Sequence, residues 1–136
     1  MKIKPNMKKS FSLIELIFVI SVLGIIAAVA VPKLMDTRSN AVATTIKQDI
    51  ATITTSIQSY YMLNNGIEKI SDSVNINPNT WVISDKKLEY KTNDTICVTM
   101  EITTSNKLEL IIDEASSETC QKLYDSGIRN ISYDLF

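Results

Sequence analysis

The sequence contains no histidine among its 136 residues, and this absence excludes several classes of function. Without imidazole the chain cannot build a Ser-His or Cys-His nucleophile pair, or a histidine metal site, on its own. The presence of only three glycines argues against a glycine-rich phosphate-binding loop. The net charge of −1 argues against a strongly basic nucleic-acid binder. The composition therefore favours a small structural or interaction protein over an enzyme, and we expect no catalytic residue, cofactor or metal.

Apolar residues are concentrated near the N-terminus, behind a short basic segment. The first ten residues carry four lysines and no acid, and residues 11–31 carry a single charge, Glu15. As a helix this stretch spans roughly 31 Å, which is close to the thickness of the hydrocarbon core of a bilayer. The basic leader predicts a cytoplasmic N-terminus and an exported C-terminal part. We therefore predict one membrane-spanning segment.

Three interpretations of this apolar segment are open: a plain membrane anchor, a cleaved secretory signal, and a helix that leaves the membrane to join an assembly. Ala28-Val29-Ala30 matches the A-x-A cleavage site of a secretory signal. Glu15 favours the assembly, because a charged side chain at the centre of a membrane helix costs about 2.5–3.5 kcal/mol. A cation on another chain would offset that cost. A position close to the cytoplasmic face, where the carboxylate reaches water, is the alternative.

The residues around Glu15 resemble those of a known family. The stretch Lys8-Lys9-Ser10-Phe11-Ser12-Leu13-Ile14-Glu15-Leu16 is similar to the class III signal of type IV pilins and type II secretion pseudopilins. In that signal a basic leader and a small residue precede Phe, a small polar residue, Leu, Ile and Glu. Gly24 and Pro32 stand where these proteins usually have a glycine and a proline. The resemblance covers residues 8–35 and implies a pilin-like fold.

This resemblance implies roles for three residues near the start of the apolar segment. A prepilin peptidase would cut between Ser10 and Phe11 on the cytoplasmic side, and Phe11 would become an N-methylated N-terminus. Glu15 would meet the N-terminal amine of a neighbouring subunit during filament assembly. Ser10 stands where the family usually has glycine. The implied partners are other pilin or pseudopilin subunits, the prepilin peptidase and methyltransferase, an inner-membrane assembly platform and membrane lipid.

Removal of the leader would change the charge of the chain. Without the four lysines of residues 1–10, ten basic and fifteen acidic side chains remain, a net side-chain charge of −5. This charge disfavours non-specific binding of nucleic acid by the whole surface. We interpret Lys86, Lys87 and Lys91, a local basic group, as part of a solvated turn. No specific nucleic-acid partner is therefore predicted.

An amphipathic segment follows the apolar one. Apolar residues recur at spacings of three and four along one helical face, namely Val42, Ile46, Ile50, Ile53, Ile57 and Tyr60 or Tyr61. The pattern predicts one helix of about 50 residues over 11–63, kinked or interrupted at Pro32 and stopped by Asn64-Asn65-Gly66. We expect a leader (1–10), an apolar helix (11–32), an amphipathic helix (33–65) and a sheet domain (66–136).

The C-terminal part predicts a meander of antiparallel strands. After a connecting loop over 66–80, strands are expected at 81–84, 88–91, 95–103 and 108–112, and the apolar tail at 131–136 would add a strand or dock on the sheet. In the third strand the alternation predicts that Ile96, Val98, Met100 and Ile102 face the long helix, with Cys97 on the opposite face. The fold class is therefore α+β, with a long N-terminal helix, half of it transmembrane, packed on a small sheet.

Cys97 and Cys120 are the only two cysteines, and they form no CxxC motif. In an exported domain this pair is expected to form a disulfide, as the family resemblance also implies; two buried free thiols are the alternative. The loop that it closes corresponds to about 3.5 kcal/mol in the chain-entropy model. With Cys97 on the opposite face, the bridge would hold a short helix, capped by Ser116 or Ser117 and ended by Gly127, over that face.

The resemblance implies a structural subunit, a type IV pilin-like protein or pseudopilin, of a filament used in type II protein secretion or DNA uptake. Residues 66–136 are few for a major adhesive pilin, which favours a pseudopilin of one of these machines or a minor pilin. Asp113-Glu114 is interpreted as a solvated turn, since its spacing fits no EF-hand loop. The protein is expected in the inner membrane with an exported C-terminal domain. The alternatives are a soluble binding domain released after Ala30 and an anchored protein that never polymerises.

Overall fold

The fold consists of two helices and five strands in a computed structural model that describes Lys2 and residues 9–135. Most of the predicted leader and Phe136 of the predicted tail lie outside the described residues. The elements are α1 (Leu13–Asn64), β1 (Trp81–Ile83), β2 (Lys87–Thr92), β3 (Thr95–Ile102), β4 (Lys107–Ile112), α2 (Glu118–Asp125) and β5 (Ile131–Asp134). The chain divides into two compact units, Met1–Thr37 and Arg38–Phe136. The predicted α+β, pilin-like class is confirmed.

Helix α1 is 52 residues long and continues through Pro32, so the interruption allowed by the sequence does not occur. Proline removes a single backbone donor, and the flanking residues keep their own helical hydrogen bonds. The helix ends where it was predicted to end. Asn65 adopts a left-handed conformation (φ 55°), and its N–H donates to the carbonyl of Tyr61 at 2.8 Å, which satisfies one of the last free carbonyls of the helix.

One face of α1 forms the centre of the core in the Arg38–Phe136 unit. Ile46, Ile50, Ile53 and Ile57 are buried, and Val42, Tyr60 and Tyr61 pack against them at the margin. The predicted apolar face is therefore confirmed. The connection after α1 also contributes to this core, because a 3₁₀ turn at Ile70–Asp72 buries Ile70 within the predicted loop.

Trp81 and Tyr90 fill the part of the core between α1 and the first two strands. The indole Nε1 of Trp81 donates to Oδ2 of Asp49 on α1 at 3.0 Å, which satisfies the one polar group of a fully buried ring. The rings of Trp81 and Tyr90 lie 5.8 Å apart between centroids. Burial raises the pKa of the Tyr90 hydroxyl above its usual value, so this side chain stays neutral at physiological pH.

The five strands form one antiparallel meander in the order β1-β2-β3-β4-β5. Asn93 and Asp94 connect β2 to β3 with φ values of 49° and 62°, as a tight turn between twisted strands requires. The apolar tail adds β5 beside β4, which is one of the two outcomes that the sequence allowed. The predicted meander is therefore confirmed and gains a fifth strand.

Strand β3 departs from the predicted alternation at Cys97. Tyr90 pairs with Val98 but Lys91 pairs with Ile96, so Cys97 is the extra residue of a β-bulge. The bulge places both Cys97 and Val98 in the core and turns Ile96 outward, where it is 40% exposed. The predictions of an inward Ile96 and an outward Cys97 are wrong, because strict alternation does not account for an inserted residue.

Helix α2 lies on the same sheet face as α1, and its predicted place on the opposite face is wrong. Cys120 and Leu123 of α2 are buried in the same cluster as the α1 isoleucines. On α1, Lys47 Nζ donates to the carbonyl of Ser126 at the C-terminal end of α2, at 2.8 Å. The reason is the bulge, which turns Cys97 toward the α1 face and takes its bonded partner Cys120 with it.

The ends of α2 agree with the sequence prediction. Ser117 is the N-cap, and its side chain accepts a hydrogen bond from the Cys120 backbone N–H at 3.2 Å. Ser126 closes the other end, and Gly127 follows in a positive-φ conformation (106°). Capping of both ends satisfies backbone groups that an eight-residue helix would otherwise expose.

Two isoleucines of β3 test the bulge. Ile102 is 6% exposed and Ile96 is 40% exposed, although strict alternation assigns both to the core. We expect Ile102→Ala to lower the free energy of unfolding by about 2–5 kcal/mol, because it leaves a cavity. Ile96→Ala, as the matched control, should change it by less than about 1 kcal/mol. Urea unfolding of the full chain in detergent, followed by the fluorescence of Trp81, measures both, and equal losses would contradict the bulge.

Candidate processing and assembly site

The start of α1 is defined by a hydrogen bond from its first turn to Ser12. The Glu15 backbone N–H donates to Ser12 Oγ at 3.2 Å, and the Leu16 N–H donates to the Ser12 carbonyl at 3.1 Å. Ser12 is therefore the N-cap, and Leu13 is the first helical residue. Ser12-Leu13-Ile14-Glu15 has the S-x-x-E pattern of a capping box, a signal that our reading of the sequence missed.

Ser10 and Phe11, the residues on either side of the predicted cleavage point, precede the helix. Both are exposed, and the Phe11 side chain is 82% exposed. The peptide bond between them therefore lies N-terminal to the cap and outside the helical hydrogen-bond ladder. The arrangement leaves this bond open to an enzyme.

Glu15 lies in the first turn of α1, three residues after the cap. Its side chain is exposed, and none of the described residues pairs with its carboxylate. The N-terminal end of a helix favours a negative charge, but this effect is worth only about 0.3–1 kcal/mol at an exposed site. A group outside the described chain is needed to compensate this carboxylate in an apolar environment.

The helical residues around Glu15 do not shield its side chain from solvent. Every residue from 9 to 38 is exposed, and an 18-residue window of α1 has a mean hydropathy of 2.8. Inside this segment Ser21 Oγ donates to the Ile17 carbonyl at 2.7 Å, so its hydroxyl adds no unsatisfied donor. A Cβ added at Gly24 would meet none of the described residues within 4 Å, so packing among those residues does not explain the glycine. An exposed apolar surface of this size is typical of a membrane-spanning or protein-binding segment.

The described residues show how the other sequence-predicted groups are arranged. Lys86 Nζ donates to the Ile67 carbonyl, and Lys87 and Lys91 lie 3.4 and 3.9 Å from the Glu89 carboxylate. The three lysines are thus engaged within the chain, one by a backbone carbonyl and two by the Glu89 carboxylate. In the next turn Asp113 Oδ1 accepts from the Ala115 N–H at 3.2 Å, as a local turn does.

Cys97 and Cys120 are joined by a disulfide, with 5.8 Å between their Cα atoms. Both residues are buried in the core. Ser117 Oγ lies 3.0 Å and Thr92 Oγ1 lies 3.8 Å from Cys120 Sγ, so hydroxyls surround the sulfur. The bridge connects the bulge of β3 to the first turn of α2, and it holds α2 against the core.

Comparison with known proteins supports the assignment of the N-terminal segment. The family described as "Prokaryotic N-terminal methylation motif" matches residues 5–31. Searches of curated proteins and of solved structures returned no match. The matched segment contains the open Ser10–Phe11 bond, the Ser12 cap and Glu15. This segment is a class III prepilin signal, the signal of the type IV pilin and pseudopilin family. With the pilin-like fold, it indicates a pilin-like structural subunit rather than an enzyme.

Loss of the disulfide is expected to destabilise the C-terminal unit. The double variant Cys97→Ala/Cys120→Ala should lose about 2–5 kcal/mol in the free energy of unfolding. Urea titration with Trp81 fluorescence measures this loss. Ser116→Ala is a suitable control, because Ser116 is neither the cap of α2 nor a neighbour of the bridge. An unchanged midpoint in the double variant would show that the bridge does not hold α2 in place.

Proposed function

We propose that this chain is an inner-membrane precursor whose leader is removed after Ser10 and whose mature form joins a helical filament. The apolar half of α1 spans the membrane before assembly, and the C-terminal unit is exported. In the filament the same apolar half packs against the helices of other copies or related subunits. The assembly serves type II protein secretion or DNA uptake, in which the subunit acts as a structural element.

One observation carries this proposal: Glu15, a carboxylate that pairs with none of the described residues, lies in the first turn of α1 and begins an apolar stretch whose residues up to 38 are all exposed. Glu15 needs a cation, and leader removal creates one, the α-amine of Phe11 on a neighbouring subunit. Leaving either member of a buried pair alone costs about 3–5 kcal/mol. Subunits that dock out of register would leave both groups unpaired, so this pair selects the correct register.

The chemistry before assembly consists of a hydrolysis and a methyl transfer. The bond between the Ser10 carbonyl carbon and the Phe11 nitrogen breaks. The oxygen of water goes to the Ser10 carboxylate, and the protons go to the new amine. The S–CH3 bond of a methylsulfonium donor then breaks, its methyl group goes to the Phe11 nitrogen, the donor leaves as a neutral thioether, and the amine releases one proton. The methylated amine still carries a positive charge at neutral pH and remains a partner for Glu15.

The alternative of a released soluble domain is disfavoured by the continuity of α1. Cleavage after Ala30 would cut within the helix, which runs from Leu13 to Asn64 without a break. Helical residues have their backbone groups engaged in the ladder, so a protease must first unwind them. The anchored protein that never polymerises is disfavoured by Glu15, which a simple anchor has no reason to carry.

The mature N-terminus tests the proposed processing. Protein purified from its native membrane should begin at Phe11 and be heavier by one methyl group than the unmodified chain 11–136. N-terminal sequencing and intact mass measure both properties. A chain that begins at Val31 would establish the signal-peptidase route and contradict the proposal. An uncut chain would also contradict the proposal.

Substitution of Glu15 tests the proposed assembly. Glu15→Gln removes the charge, keeps the shape and leaves the amine of the neighbour unpaired, so filament yield should fall at least about 100-fold. Glu109→Gln is the matched control, because Glu109 is an exposed glutamate on the outer sheet face. Sheared or pelleted filaments, quantified against total protein, give the yield. Normal assembly of Glu15→Gln would remove the pairing role.

A further inference from the structure

The position of the Ser12 cap has a consequence for leader removal. Ser12 Oγ accepts from the Glu15 N–H at 3.2 Å, and helix α1 starts one residue later, at Leu13. We propose that Ser12 is a positioning residue for cleavage: its cap holds the start of α1 two residues beyond the Ser10–Phe11 bond. This inference rests on the proposed function, since it concerns the same cut.

The sequence contains a second possible start for the helix. Ser10 is also a residue of the N-cap type, and a helix capped by Ser10 would begin at Phe11. The bond to be cut would then join the cap to the first helical residue. Its carbonyl would accept the first bond of the ladder, and the Phe11 ring would be fixed by helical geometry. An enzyme would have to break these bonds before it could bind the segment in an extended form.

The structure contains the Ser12 start, and the residue three positions after each cap explains why. After Ser12 this residue is Glu15, whose side chain is of the type that completes a capping box. After Ser10 it is Leu13, which has no polar group to offer. The Glu15 carboxylate makes no hydrogen bond with the described residues, so it favours the Ser12 start through its negative charge, which this start places in the first turn of α1. The two helix starts compete more closely in this chain than in most of the family, because serine is a stronger N-cap than the glycine that usually precedes the cut.

Loss of the cap should act on substrate binding. If a fraction of the chains adopts the Ser10 start, the peptidase binds only the remainder, and the apparent KM rises by the inverse of the competent fraction. The turnover of bound chains is unchanged, because the bound conformation is the same. Loss of a residue that only stabilises the helix is not expected to raise KM while leaving kcat unchanged.

The experiment compares full-length variants in membranes or detergent with a prepilin peptidase, using intact mass to follow the loss of residues 1–10. Ser12→Ala should raise KM by up to about threefold with little change in kcat, since an N-cap contributes about 1 kcal/mol and the Ser12 start is the major one in the natural chain. Ser12→Thr keeps a capping hydroxyl and should restore a KM close to that of the natural chain. Ser21→Ala is the matched control, because the Ser21 hydroxyl bonds to the Ile17 carbonyl within the helix and caps nothing.

Each outcome bears on the inference. A raised KM in Ser12→Ala that Ser12→Thr restores supports it. Equal KM values for the natural chain and Ser12→Ala overturn it and leave the proposed function in place. A rise in KM that Ser12→Thr does not reverse, or that Ser21→Ala also shows, overturns the inference as well. If the natural chain is not cut after Ser10 at all, both the inference and the proposed function are wrong.

Discussion

The structure depends on the coverage of an apolar helical surface that the chain cannot bury by itself. Every residue from 9 to 38 is exposed, and this segment is apolar enough and long enough to cross a bilayer. Water is an unfavourable environment for such a surface, and under the proposed function the surface exchanges lipid for neighbouring helices. In that proposal the N-terminal amine of a neighbouring subunit supplies the cation that pairs with Glu15. Under that proposal the carboxylate distinguishes two environments that are otherwise equivalent for the apolar side chains.

The C-terminal half of α1 differs from the N-terminal half, because its apolar stripe is buried within the chain. The isoleucines from Ile46 to Ile57 lie under the sheet, and α2 packs beside them on the same face. The disulfide between Cys97 and Cys120 joins the sheet to α2 through the core. The outer sheet face carries ion pairs such as Lys87 with Glu89 and Lys107 with Asp134, beside the exposed apolar side chains of Val82, Ile96 and Ile111. One helix thus carries both an exposed apolar segment and the base of a folded unit.

Much of the fold and of the candidate site could be predicted from local patterns. The length and C-terminal stop of α1 follow from helical periodicity and from Asn65, and the meander follows from alternation and turn residues. Ser10, Phe11 and Glu15 are candidates because a basic leader before Phe-x-x-x-Glu is a compact and specific pattern, and their roles remain predictions. The role of Ser12 was equally readable as S-x-x-E, since a cap is formed by residues within one turn.

The sequence by itself determined which segments become helix and strand and which residues form the prepilin signal, because these properties depend on neighbours within a few positions. The tertiary structure alone decided which face of β3 each residue occupies. The bulge at Cys97 arises from the pairing of β3 with β2, and its effect is to turn Ile96 outward and Cys97 inward. The side of the sheet that α2 covers then follows from the disulfide. A one-residue insertion in a strand pair leaves no periodic trace, so only the paired strands reveal it.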